Sequence, residues 1–121
     1  MSEEEKLVAQ VIGTLQEHKG VDITKIDLRR IENCFCRFFV ICHGNSNTHV
    51  GSMADFVYDE VNERLREKPI HVEGADMAQW VVMDYGNVMV HIFQKEFRDY
   101  YQLEDFWADA DITRVTENQT N

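Results

Sequence analysis

Five apolar positions near the start of the chain, Leu7, Val8, Val11, Ile12 and Leu15, recur at intervals of one, three and four, the spacing of one helix face. Glu3, Glu4 and Glu5 precede them, where a helix dipole favours anions, and Lys19-Gly20 supplies a stop. Val21 to Leu28 mixes β-branched and polar residues and predicts a strand, and Arg29 to Asn33 predicts a turn. The unbroken apolar run Phe38 to Cys42 suits a strand buried on both faces. A polar break, His43 to Asn47, leads into Val50, Met53, Ala54, Val57, Val61 and Leu65, a helix that runs toward Pro69. Ser46 or Asn47 would cap it, with His49 in its first turn. Strands follow at Ile70–Glu73, Trp80–Asp84 and Val88–Phe93, and from Lys95 the pattern is helical, with Phe97, Tyr100, Tyr101, Phe106 and Trp107 along it.

The order α-β-β-α-β-β-β-α predicts a mixed β-sheet of about five strands flanked by helices, in the α/β or α+β class. One domain is expected over residues 1–112, with 113–121 a polar, disordered tail.

The strands around Tyr85-Gly86-Asn87 permit a sharper inference. A two-residue turn at Gly86-Asn87 pairs Tyr85 with Val88, Asp84 with Met89, Met83 with Val90, Val82 with His91, Val81 with Ile92 and Trp80 with Phe93. Val81, Met83, Tyr85, Val88, Val90 and Ile92 then share one face and read as core. The other face carries Trp80, Val82, Asp84, Met89, His91 and Phe93, large aromatics beside an acid and an imidazole. That mixture fits either a protein interface or a face covered by a helix, with Asp84 and His91 satisfied internally.

Charge narrows the partners. Twelve basic against 22 acidic residues leave −10 over 121 residues, a field that opposes wrapping a phosphate backbone and favours basic partners. No apolar run approaches the roughly 20 residues of a membrane span, and the opening MSEEEK lacks the marks of a signal peptide, so a cytoplasmic protein is expected. Cys34, Cys36 and Cys42 sit too close together for a disulfide framework. With His43 they offer zinc-type ligands, but no second well-separated pair, so packed free thiols are expected and no metal.

Catalytic motifs are thin. Ser46 and Ser52 lack a G-x-S-x-G context, and no two of the five histidines form an H-x-x-x-H pair. Gly44-Asn45-Ser46 before a helix resembles the phosphate-holding loop of nucleotidyltransferases, the alternative reading of this chain as a nucleotidyltransferase or nucleotide-binding protein. Such enzymes need two carboxylates one residue apart on a strand to hold two magnesium ions. The candidate stretch Met83-Asp84-Tyr85 offers only Asp84, with Val82 where the second acid should stand.

Taken in order, Phe39-Val40-Ile41, Gly44 through Val50, Ala54-Asp55, His71-Val72-Glu73-Gly74, Trp80 through Phe93, Arg98, and Tyr101 through Ala110 resemble the ribosomal silencing factor family, also called Iojap-like. The resemblance spans about residues 21 to 110. It implies a non-catalytic protein with a nucleotidyltransferase-like fold and no active site, needing no cofactor. Such a protein binds the large ribosomal subunit through its fourteenth L-protein, blocks joining of the small subunit and so represses translation. A homodimer through the same aromatic face is compatible with it. Carried over by position, the partner-binding candidates are Glu73, Trp80, Asp84, Tyr85, Asn87, His91 and Asp55. Trp80 would be the buried anchor, Glu73 and Asp84 acceptors for lysine or arginine, and His91 a neutral hydrogen-bonding group. Tyr101, Leu103, Phe106 and Trp107 are expected in a helix packed on the sheet. Asn87 stands where the family usually has Asp, and Arg37 where it often does.

Overall fold

The computed structural model describes residues 1–115. Helix α1 (Glu3–Glu17) begins at Ser2, whose hydroxyl accepts from the Glu5 N–H while the Glu5 carboxylate accepts from the Ser2 N–H. This reciprocal cap satisfies two backbone donors that a helix start leaves open. It also holds the Glu5 carboxyl below its ordinary range, chiefly through the Ser2 N–H. Strand β1 (Val21–Asp27) follows, then β2 (Phe38–Gly44), every residue of which is buried.

Helix α2 (Asn47–Leu65) is capped by the Ser46 hydroxyl, which accepts from the His49 N–H at 3.1 Å, and ends at Arg66 in the left-handed conformation. Strands β3 (His71–Glu73), β4 (Trp80–Asp84) and β5 (Val88–Gln94) come next, then two short helices, α3 (Lys95–Tyr101) and α4 (Leu103–Phe106). Strand β6 (Asp111–Arg114) completes the described chain.

The six strands lie in the order β3-β4-β5-β2-β1-β6. Among the described residues only β2 and β5 run parallel; α2 and the short β3–β4 excursion make that crossover, and the other pairings are antiparallel. The mixed sheet and its flanking helices match expectation, with six strands among the described residues where about five were expected. The missed strand, β6, is exposed at all four residues and carries one apolar side chain, Ile112, so it has no alternating pattern to read. It exists through main-chain pairing with β1, and Arg114 and Asp22 meet across that pair at 2.8 Å. Thr113 and Arg114, expected in a disordered tail, are therefore strand, and the Val115 N–H donates to the Ile23 carbonyl. The rest of that expectation, 116–121, lies outside the described residues.

Two layers cover the sheet. Helices α1 and α2 pack on one face, where Val11, Leu15, Met53, Val57 and Val61 meet Phe38, Val40, Val81, Val90 and Ile92. On the opposite face Ile26, Leu28, Phe39, Ile41 and Phe93 form a smaller cluster, roofed by Phe97, Leu103 and Trp107 from α3 and the segment after it. This roof covers β1, β2 and β5 but stops short of β4 and β3, and so sets up the candidate site.

Candidate functional site

The hairpin register is the one its turn chemistry predicts: Trp80 opposite Phe93, Val82 opposite His91 and Asp84 opposite Met89, with the Tyr85 N–H donating to the Val88 carbonyl. Gly86, at φ +94, makes the turn, and the Asp84 carboxylate accepts from its N–H at 2.7 Å. Strand β3 extends the same face outward, since His71 pairs with Asp84 and Glu73 with Val82. Gly74, at φ +82, turns the chain back toward β4 so tightly that a Cβ would collide with the Trp80 carbonyl oxygen.

This face divides into a covered half and an open half. Toward β2, Phe93 and His91 are buried beneath the α3–α4 layer. Toward β3, Trp80, Val82, Asp84 and Met89 are half-buried, and His71 and Glu73 are exposed and in contact with each other. Trp80 marks the boundary. Its ring stacks on Phe93 at 4.9 Å between centroids and meets Tyr101 at 4.8 Å, and its indole N–H donates to Nδ1 of His91 at 3.1 Å. Tyr101 meets Tyr100 edge-on, so exposed aromatic surface continues past Trp80 toward solvent.

His91 is a neutral hydrogen-bonding group, and the hydrogen bond it makes is to Trp80. It is 5% exposed, with Phe39 edge-on at 4.7 Å, and orients Trp80 from beneath. Burial pushes its pKa down to about 4, which keeps the imidazole neutral and Nδ1 free to accept the indole proton. Its Nε2 is buried with no hydrogen-bond partner among the described residues.

The remaining candidates scatter. Tyr85 points into the core beneath the helices, as strand parity requires, with no partner for its hydroxyl among the described residues and its pKa raised by burial. Asn87 sits at the hairpin tip, where its side-chain amide donates to Glu4 of α1 and its carbonyl accepts from the Arg37 and Phe38 N–H groups. Asp55 is exposed on α2, across the sheet from Trp80. The structure thus unites Glu73, Trp80, Asp84 and His91 and separates Tyr85, Asn87 and Asp55 from them. It adds Tyr101, which is 49% exposed against Trp80, and it leaves Phe106 at 78% exposed, not packed on the sheet as expected. Leu103 and Trp107 do pack there. The i, i+4 pair Phe97–Tyr101 was the available signal for Tyr101, because the first is drawn under the roof and the second emerges at its edge.

The loop that resembles a phosphate cradle is filled by its own residues. The Asn45 N–H donates to Nδ1 of His49, the His49 N–H to Ser46, and the imidazole lies against Gly44 so closely that a Cβ there would sit 2.9 Å from Nδ1. Among the described residues, the grouping of possible metal ligands is Glu17, His18 and Glu60, on the helical layer and without Asp84. His18 and Glu60 already hydrogen-bond each other at 3.1 Å. The three cysteines are free thiols, and burial raises Cys36 to about 11 and Cys42 to about 12, which keeps both protonated. No helix among the described residues is long and apolar enough to cross a membrane.

Comparison with known proteins converges on one group. The sequence matches the profile of the family described as "Ribosomal silencing factor during starvation" over residues 1–121. It is 38% identical over 97 residues to the ribosomal silencing factor RsfS of Bacillus subtilis, covering 79% of this chain and 80% of that one. It is 34% identical over 109 residues to the RsfS of Halalkalibacterium halodurans, covering 88% and 89%. A crystal structure of a Chromobacterium violaceum protein superposes with a TM-score of 0.83 at 26% identity, over 98% of both chains. One from Bacillus halodurans gives 0.77 at 29% identity, over 92% of this chain and 99% of that one.

Proposed function

Because the chain belongs to the ribosomal silencing factor family, we propose that it represses translation by seating the open half of its aromatic sheet face on the large ribosomal subunit, against the fourteenth L-protein, and so keeps the small subunit from joining. The observation that supports this reading is the half-exposed Trp80, backed by Phe93 and Tyr101 and oriented by His91, with Glu73 and Asp84 on the same face. A rigid aromatic ring with acids beside it is the pattern of an interface hot spot for a basic partner. Ribosomal proteins on the joining face are basic, whereas the rRNA around them is anionic. A chain of net charge −10 is drawn to the first and repelled by the second. The action is occlusion; it needs neither cofactor nor covalent chemistry.

Sedimentation tests it. Purified large subunits should carry the protein with them through a gradient, and small subunits added afterwards should fail to form joined particles. Protein that stays at the top of the gradient, or that travels with large subunits while joining proceeds, would refute the proposal. Self-association through the same face competes with docking, and would be seen as a dimer that large subunits dissociate.

A further inference from the structure

We propose that Arg98 is the positioning residue of the docking face, a buried cation whose fixed fork holds Tyr101 and Trp107 in the places that shape the aromatic platform. The proposal rests on the docking reading above. Arg98 lies on α3, is 5% exposed, and uses its whole guanidinium. Its Nε–H donates to Glu104 at 3.0 Å, one terminal nitrogen donates to the Asp22 carbonyl at 2.8 Å and to Nδ1 of His43 at 3.0 Å, and the other donates to the Thr24 hydroxyl at 3.1 Å and again to Glu104. These acceptors come from three separate parts of the chain: the start of β1, the end of β2, and the first turn of α4.

The consequences run in two directions along the chain. Asp22 is held at φ +54, where the β1–β2 register shifts, so the cation ties the roof to an irregular point of the sheet. The Arg98 carbonyl accepts the Gln102 N–H at 2.9 Å, which closes α3 one residue after Tyr101; Gln102 takes φ +48 and turns the chain into α4. That closing bond is main-chain; what the guanidinium adds is to anchor α3 to β1 and β2, with Tyr101 three residues further along the helix against Trp80. Through Glu104 it sets where α4 begins, and with it Trp107, which meets Phe39 edge-on at 5.8 Å. α4 has no fully buried residue and is held by the partial packing of Leu103 and by the Glu104 contact to Arg98. An ammonium cannot reproduce a planar five-donor fork, so lysine is not an equivalent here.

The test compares Arg98→Lys, the milder Glu104→Gln and the control Val90→Ala, which loosens the core on the other face. Each is followed by thermal melting, by near-ultraviolet circular dichroism of the aromatic cluster, and by affinity for large subunits. The expected result is that Arg98→Lys melts cooperatively, loses the near-ultraviolet signal of the Trp80–Tyr101 pair and binds at least about tenfold more weakly, with Glu104→Gln intermediate. Val90→Ala should melt earlier yet keep both spectrum and affinity. Folded Arg98→Lys or Glu104→Gln protein with the wild-type spectrum, or with wild-type affinity, overturns the proposal. So does a Val90→Ala protein that loses affinity in step with its melting temperature, since stability alone would then explain the effect. Should Arg98→Lys fail to fold, Glu104→Gln decides by the same two readouts. Failure of the wild-type protein to bind large subunits would overturn the docking reading instead, and the near-ultraviolet spectra would still judge whether Arg98 positions Tyr101.

Discussion

Replacing Trp80 by phenylalanine and by alanine separates two jobs that the indole performs at once. Phenylalanine keeps a ring against Phe93 and Tyr101 but deletes the N–H that His91 Nδ1 accepts at 3.1 Å. His91 is 5% exposed and its Nε2 already lacks a partner among the described residues, so the imidazole would be left with no hydrogen bond to any of them. A buried polar group orphaned in this way costs about 1–3 kcal/mol. A double-mutant cycle with His91→Leu isolates that term: in urea unfolding, the coupling between the two positions should be on the order of 1 kcal/mol or more, because once the imidazole is gone the missing N–H no longer matters. Affinity for large subunits should change little in Trp80→Phe. Trp80→Ala also removes the ring that the partner would cover, and should weaken binding by about 2–4 kcal/mol, on top of a stability loss from the broken stack. Additive stabilities at Trp80 and His91 would refute the assignment of the hydrogen bond. Folded Trp80→Ala protein that still stops subunit joining at unchanged concentration would refute the choice of face.

Burial lowers the His91 pKa from 6.5 to about 4, so below pH 6.5 the unfolded chain takes up the proton that the folded chain refuses. Stability is therefore full above about pH 6.5 and falls as the pH drops toward 4, by up to roughly 3 kcal/mol. His43, also depressed by burial, adds to the same slope, and His91→Leu should flatten it; a variant as acid-sensitive as wild type would refute the assignment. Gly74→Ala forces a Cβ into the Trp80 carbonyl at φ +82, and should lower the melting temperature and weaken binding together, because β3 and the start of β4 shift with it; calorimetry showing no change would contradict the turn geometry. If Glu73 and Asp84 steer docking, the association rate should fall as ionic strength rises, since charges act over roughly 8–10 Å at physiological salt. Stopped-flow rates flat from low to physiological salt would remove them from the interface.

How far the sequence carried depended on whether a residue's place is set by its neighbours in the chain or by distant ones. The β4–β5 register was legible because Gly86-Asn87 restricts the turn and side chains alternate strictly beyond it, so Tyr85 could be assigned to the core from parity alone. Parity names a face but not what lies over it. The covering of His91 and Phe93 depends on α3 and α4 folding back across β5, which nothing local to the hairpin encodes. Asp55 and Glu73 look alike as exposed acids in sequence, yet the fold puts them on opposite sides of the sheet. Arg98 stood out in the sequence as one of the residues that carry the family resemblance, but its role did not, because only the convergence of β1, β2 and α4 on it makes it interior.

The single parallel pairing at the centre of the sheet bears on how this chain assembles. Phe38 lies beside Val88 and Gly44 beside Gln94, so the most buried strand finds its neighbour only after α2, β3 and β4 have been looped out between them. The β1–β2 and β4–β5 pairs, by contrast, each close over short connections. Closing the long loop costs chain entropy before the central contacts repay it, so the β2–β5 seam is expected to close after the two antiparallel pairs. Until it closes, Phe39, Ile41 and Phe93 have no shared interior, and the layer of α3 and α4 has no floor to rest on. On this topology the aromatic platform is expected to be a late product of folding: a partly assembled chain would hold its hairpin but not the ordered surface around Trp80, and so would lack the docking face proposed above.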